Sequence, residues 1–227
     1  MPYFYDSSIL IILPFILLGM WASANVQSTF RKYSKVYASR GMTGAEAAQT
    51  LINRLRLDVR VERATAGGLS DHYDPRTHVV RLSNEVHDSR SVAAISVAAH
   101  EIGHALQDAE GYAALKFRNS FFPVVSIGSN LWMILFIAGL IFSMPSLTNI
   151  GILLFGLVVV FQIITLPVEF NASRKALALM QENGVLTMEE APGAKKVLNA
   201  AALTYVAAAL SAVANLARLL MMSGRRR

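Results

Sequence analysis

The chain has 227 residues, 54% of them hydrophobic and only 16% charged, a balance that suits a bilayer better than water. It contains no cysteine, which excludes disulfide staples, thiolate zinc sites and cysteine nucleophiles and leaves His, Asp and Glu as the available metal ligands. The formal net charge of +6 comes from basic residues beside apolar runs and from the tail Arg225, Arg226 and Arg227, a membrane-flanking pattern that argues for a lipid bilayer and against a nucleic-acid partner.

Residues 8–24, SILIILPFILLGMWASA, are apolar enough to enter a bilayer, with Pro14 inside the run. The preceding MPYFYDS offers Asp6 and no Lys or Arg, so the expectation is an uncleaved anchor rather than a cleaved signal peptide. Arg31, Lys32, Lys35 and Arg40 follow, and the positive-inside rule turns that end toward the cytoplasm. Residues 41–119 form the long polar stretch. Thr43 is placed to cap a helix in which Ala47, Leu51, Ile52 and Leu55 recur at helical spacing. GGLSDHYDPRTHVVRLS then predicts two short extended pieces around the turn signals Gly67-Gly68 and Asp74-Pro75, as a hairpin or an edge strand. Residues 77–83 are expected to be an edge strand that pairs with an extended substrate, with His78 and Arg81 alternating against core-facing Val79 and Leu82. Ser89 or Ser91 opens the next helix, SVAAISVAAHEIGHALQDAEGYAAL, which no proline interrupts.

Two further spans follow, residues 124–144 and 150–166, joined by the uncharged PSLTN. Lys116 and Arg118 before them and Arg174 and Lys175 after them place both ends of this hairpin on the cytoplasmic side. Residues 200–222 are apolar but contain Arg218, and as a span they would carry the terminal arginines outside, against the same rule. Spanning and interfacial placements both stay open for that helix.

His100-Glu101-Ile102-Gly103-His104 reads H-E-x-x-H. Residues four apart on a helix project from one face, so both imidazoles can reach one metal ion while Glu101 stands beside it as a base for a metal-bound water. Two ordinary exposed histidines are the bland reading, and the apolar flanks SVAAISVAA and ALQ argue against it, because buried polar side chains need partners. A third ligand cannot be a downstream histidine, since His72, His78 and His87 all precede the motif. The downstream carboxylates are Asp108, Glu110, Glu169, Glu182, Glu189 and Glu190. Glu169 is the best placed, where the third apolar run emerges and a new helix is expected after Pro167; an ordinary first-turn glutamate is the bland alternative. Asp71, His72, Tyr73 and Asp74 read as a polar turn, although His72 or Tyr73 could stabilise an oxyanion. His87 reads as a solvated loop residue. Gly103 and Gln107 read as ordinary helix packing, with Gln107 also within reach of a metal site.

HEIGHALQ, the membrane hairpin behind it, VEFNASRKAL, the anchor and GGLSDHYDP together resemble the YugP family of neutral zinc metallopeptidases of bacterial membranes, over nearly the whole chain. More distantly the chain looks like the membrane gluzincins that include the heat-shock membrane protease and the CAAX prenyl protease, whose downstream pattern resembles E-x-x-x-D. Here Glu169 stands at the glutamate position and Ser173 at the aspartate position. The resemblance implies Zn2+ as cofactor and His100, His104 and Glu169 as its ligands. It assigns no residue to the role of the missing aspartate, for which the nearby Asn171 or Ser173 could hydrogen-bond to a ligating imidazole.

The expected fold is an α-dominated membrane protein: a zincin-like cytoplasmic domain with a short β element, plus three or four transmembrane helices. Along the chain this gives an anchor (1–30), the zincin-like part (31–120), the hairpin (121–168), the third-ligand helix (169–199) and a C-terminal apolar helix with a basic tail (200–227). The expected function is a multi-pass membrane zinc metallopeptidase with its site on the cytoplasmic side, acting on protein or peptide substrates, membrane proteins among them, through a metal-activated water and Glu101. A non-catalytic zinc-braced membrane scaffold and a zinc hydrolase of a non-peptide substrate are the alternatives.

Overall fold

The structure is a computed structural model that describes residues 9–65 and 71–224. Its elements run α1 (Ile9–Tyr33), α2 (Gly44–Leu55), β1 (Arg60–Arg63), β2 (His72–Asp74), β3 (Val79–Leu82), α3 (Asn84–His87), α4 (Val92–Ala109), α5 (Ala113–Ile141), α6 (Pro145–Glu182) and α7 (Ala191–Gly224). The protein is mostly helical with one small sheet, and α1, α5, α6 and α7 are each long and apolar enough to cross a membrane. Two compact units share the chain, one within residues 1–23, 116–167 and 204–227, the other within 24–115 and 168–203. Asp6, the Gly67-Gly68 turn and the three terminal arginines lie outside the described residues.

The second unit contains the sheet and the motif helix. Thr43 caps α2 through a reciprocal box, its Oγ1 accepting from Glu46 N at 3.1 Å and its N–H donating to Glu46 Oε2 at 2.8 Å. Of the two serines before α4, Ser91 is the cap, with Oγ accepting from Ala94 N at 3.2 Å. α2 contributes Leu51 and Ile52, β3 contributes Val80 and Leu82, and α4 contributes Ile95, Ala98 and Ile102 to one core that also holds Ala176 and Met180 of α6 and Leu198 of α7. Each large aliphatic side chain removed from water stabilises by about 1.5–3 kcal/mol, so packing rather than helix propensity anchors α4.

The sheet corrects three expectations. Arg60–Arg63 forms β1 and pairs in parallel with β3, while β2 pairs antiparallel on the other side. Residues 77–83 are therefore not an edge strand: β3 is the centre of the order β1-β3-β2 and has no free side for a substrate. β1 escapes the hydrophobic pattern because it is itself a charged edge with mostly exposed side chains. His78 does not alternate within the strand but lies in the preceding turn with φ 53°, and Val79 and Val80 are both buried. The cluster from Asp71 to Asp74 is not simply a turn either. Its residues His72–Asp74 form edge strand β2, and the turn occupies residues 75–78, starting at the Asp74-Pro75 signal. His87 ends α3, where its Nδ1 lies 2.8 Å from Asp88 Oδ1.

The expected start of a new helix after Pro167 is also overturned. α6 runs unbroken through that proline for 38 residues. Pro167 has no N–H for the Ile163 carbonyl, but a single lost bond is tolerated inside a long packed helix. Glu169 is consequently mid-helix, and no helix dipole accounts for a carboxylate there.

In the first unit Phe136 of α5, Ile152, Phe155 and Val159 of α6, and Leu219 of α7 form the core. α5 and α6 meet so closely at Gly151 that a Cβ there would stand 2.7 Å from Phe136 N, the small-residue contact familiar between membrane helices. Ile127, Ile134 and Leu153 face outward and are exposed. Helices apolar both inside and outside suit hydrocarbon surroundings.

Candidate metal centre

His100 and His104 lie on one face of α4, their rings 4.7 Å apart and nearly perpendicular at 82°. α6 runs against the same face. A Cβ on Gly103 would stand 2.6 Å from the Ala172 carbonyl oxygen, so the glycine inside the motif is what lets the two backbones approach. That approach delivers Glu169, 3% exposed. Its Oε2 lies 3.2 Å from His100 Nε2 and 3.6 Å from His104 Nε2, and one ligand atom from each of the three residues falls within 4.8 Å of the others.

The ring orientations are set by neutral partners. Gln107 is fully buried, and its two amide protons are committed, to Val168 O at 2.8 Å and to Asn171 Oδ1 at 2.9 Å. Its Oε1 therefore faces His104 Nδ1 at 3.0 Å. Nδ1 then donates to that oxygen, which leaves Nε2 as the ring atom facing Glu169. His100 is arranged alike, with Ser173 Oγ 3.3 Å from its Nδ1. The hydroxyl thus meets the imidazole from the position where the related pattern has an aspartate, and Asn171 serves one step further out through Gln107.

Glu101 is 7% exposed, and its Oε2 accepts the Tyr73 N–H at 2.9 Å, so the edge strand β2 fixes the carboxylate of the motif helix. Burial pushes the Glu101 carboxyl up to about 7; the adjacent His100 opposes the rise, the charges of Glu169 and Asp71 add to it, and the Tyr73 N–H works against it. Asp71 secures the strand by accepting from Ser83 N at 2.7 Å. The competing carboxylates have other work. Asp108 accepts the Tyr73 hydroxyl at 2.9 Å, Glu110 pairs with Lys175 at 2.7 Å, and Glu190 accepts from Thr187 N at 2.8 Å and Ser39 N at 2.6 Å. Glu182 and Glu189 do not join the group of three. Gln107, read as helix packing with a place beside the metal site as its other reading, takes the second role through His104 Nδ1. The Tyr73 N–H escaped the sequence reading, because a main-chain donor leaves no signal in residue types.

The donor set suits a divalent cation. Two imidazole nitrogens and a buried carboxylate oxygen converge on one point, and a cation held between them would compensate the buried carboxylate charge. Ligand atoms bound tetrahedrally to zinc at 2.0–2.2 Å stand roughly 3.3–3.6 Å from one another, and the two distances from Glu169 Oε2 to the histidines, 3.2 and 3.6 Å, are close to that range. A methyl at position 103 should spoil it. Gly103→Ala is expected to push α6 away and weaken zinc binding at least about tenfold, with a thermal midpoint lower by several degrees, since overpacking typically costs about 1–3 kcal/mol; zinc titration and melting indistinguishable from wild type would refute the close-approach role.

Comparison with known proteins places these residues in a known group. The chain is 50% identical over 206 residues, 90% of its own length and 91% of the relative's, to a Bacillus subtilis (strain 168) protein called "Putative membrane protease YugP". No solved structure matches it. The model of the family described as "Putative neutral zinc metallopeptidase" matches residues 8–224, and the chain belongs to that family.

Proposed function

We propose that this protein is a multi-pass membrane zinc peptidase in which the unit of residues 24–115 and 168–203 is a zincin-like cytoplasmic domain. The observation that carries the reading is the convergence of His100, His104 and Glu169 beside a buried carboxylate, Glu101, that belongs to none of the three ligand positions. A purely structural zinc closes its fourth position with another side chain and needs no base; among the described residues the group has three members.

Bound zinc would supply Lewis acidity to a water and to the scissile carbonyl. His100, His104 and Glu169 would hold it, while Gln107 and Ser173 keep the imidazole Nδ1 atoms engaged and Nε2 directed inward. Glu101, held by the Tyr73 N–H, would accept the proton of an attacking water and return it to the leaving amine nitrogen. No side chain forms a covalent bond to the substrate, which is an unfolded or extended polypeptide, membrane proteins included. Nucleic acid has no part in the reading.

Metal analysis of the purified full-length protein, with digestion of a denatured membrane protein before and after chelation, tests this. One zinc per chain and cleavage that chelation abolishes and zinc restores are expected. Stoichiometric zinc without cleavage of any polypeptide would favour the zinc-braced scaffold, and hydrolysis confined to lipid or other non-peptide bonds would favour the remaining alternative.

Gln107→Met should keep the side-chain volume but remove the acceptor at His104 Nδ1. Zinc affinity is expected to fall roughly 10–100-fold, and the 15N signals of His104 should lose the pattern of an Nδ1-protonated ring. Wild-type signals in that variant would free His104 from Gln107. For topology, reporters after Lys35, at Gln107 and near Glu182 should read cytoplasm and one at Ser146 the outside, since the basic residues Arg31, Lys32, Lys116, Arg118, Arg174 and Lys175 flank the apolar runs on one side. An external signal at Gln107 would invert the arrangement.

A further inference from the structure

A groove of about 420 Å3 runs between the end of α1 and the beginning of α7. Asn25, Thr29 and Lys32 line one wall, spaced four and three residues apart and so on one face of α1; Lys196 and Asn199 line the other. Every polar side chain along it can donate a hydrogen bond, and no carboxylate is among the lining residues. Tyr33 and Gly193 touch closely enough that a Cβ on the glycine would meet the ring at 2.8 Å, which sets the last turn of α1 beside the first of α7. Lys32 and Lys196 therefore stand at the same end, and the Lys32 Nζ lies 5.7 Å from the Tyr33 ring centroid.

From Lys32 back to Asn25, and from Lys196 forward to Leu203, is seven residues on each helix, about 10 Å of rise. Beyond Asn25 toward the N-terminus α1 becomes the apolar run ending at Ala24, and beyond Leu203 α7 becomes its own apolar run. One end of the groove is thus dicationic and the other leads into the two stretches that are candidates to cross a membrane. A free anion would match only the first end, and an acyl chain only the second.

We propose that this groove binds an anionic phospholipid, with the phosphate between Lys32 and Lys196, headgroup hydroxyls on Asn199 and Thr29, and the acyl chains leaving along Ala200 and Leu203. The anion meets two ammonium groups at the level where a bilayer's negative surface begins. The binding rests on α1 and α7 crossing the bilayer and is independent of the zinc reading, so failure of one leaves the other standing.

The test is lipid binding to the full-length protein in neutral detergent, read by native mass spectrometry, with dioleoylphosphatidylglycerol, dioleoylphosphatidylcholine and glycerol 3-phosphate as probes. Wild type is expected to hold phosphatidylglycerol at least about tenfold more tightly than phosphatidylcholine. The pair Lys32→Gln and Lys196→Gln should erase that preference, whereas Lys35→Gln with Lys195→Gln, which removes the same charge from exposed neighbours outside the groove, should keep it. Equal binding of the two lipids by wild type, or equal loss in both double variants, overturns the site. Glycerol 3-phosphate bound as tightly as phosphatidylglycerol would show a site for a free phosphate ester and overturn the lipid as occupant. Glu101→Gln and wild type should give the same lipid preference.

Discussion

Glu101→Gln should leave one zinc bound per chain while hydrolysis of an unfolded polypeptide falls by roughly two to four orders of magnitude, the range that a positioned general base contributes. The substitution is unusually clean here. The amide oxygen can still accept the Tyr73 N–H that now reaches Glu101 Oε2 at 2.9 Å, and the volume is unchanged, so β2 and α4 keep their packing. What disappears is the capacity to take up a proton. Because the buried carboxyl already lacks full solvation, its replacement by a neutral group should not lower the thermal midpoint, and a small rise is expected. Metal content by mass spectrometry, melting curves and turnover on the same preparation separate these outcomes. Undiminished turnover at full zinc occupancy would remove the proposed base, and loss of zinc would mean that Glu101 itself ligates.

The parts of this protein that could be read from its sequence are those governed by local rules. The capping residue Thr43, a serine cap at 89 or 91, the apolar runs and the i, i+4 histidines follow from local pattern, and the structure selects Ser91. The misreadings share a physical cause, dependence on partners distant in sequence. β3 is central because Arg60–Arg63 pairs with it, and three of those four residues are charged, which hides a strand pattern. Pro167 stops no helix because packing around α6 outweighs the lost hydrogen bond. The orientation of His104 depends on an amide whose protons are taken by Val168 and Asn171, 61 and 64 residues away. Only the glycine at position 103 hinted that a second backbone comes close, and it named no partner.

Glu169→Ala should cost zinc affinity more than any other single carboxylate substitution, at least about a hundredfold, beyond the 10–100-fold typical of groups that merely orient ligands. In sequence, 64 positions and two apolar runs separate His104 from Glu169. The stretch of α6 after Pro167 passes Gly103 with its Ala172 carbonyl against the glycine, which sets Glu169 opposite both Nε2 atoms. Without the carboxylate, a dication would be held by two neutral imidazoles in a buried site and would keep its full charge uncompensated. Glu169→Gln should lose less, since the amide oxygen can still coordinate weakly while supplying no charge. Asp108→Asn and Glu110→Gln are the controls. Asp108 is engaged with the Tyr73 hydroxyl and Glu110 with Lys175, so both variants should bind zinc almost as wild type does. Zinc-induced stabilisation gives an independent reading, because a ligand that binds only the folded protein raises its melting point in proportion to the logarithm of its affinity. That rise should vanish at matched zinc for Glu169→Ala and persist for both controls. A large loss at Glu110 with none at Glu169 would move the third ligand onto the motif helix and reduce the contact between α4 and α6 to ordinary packing.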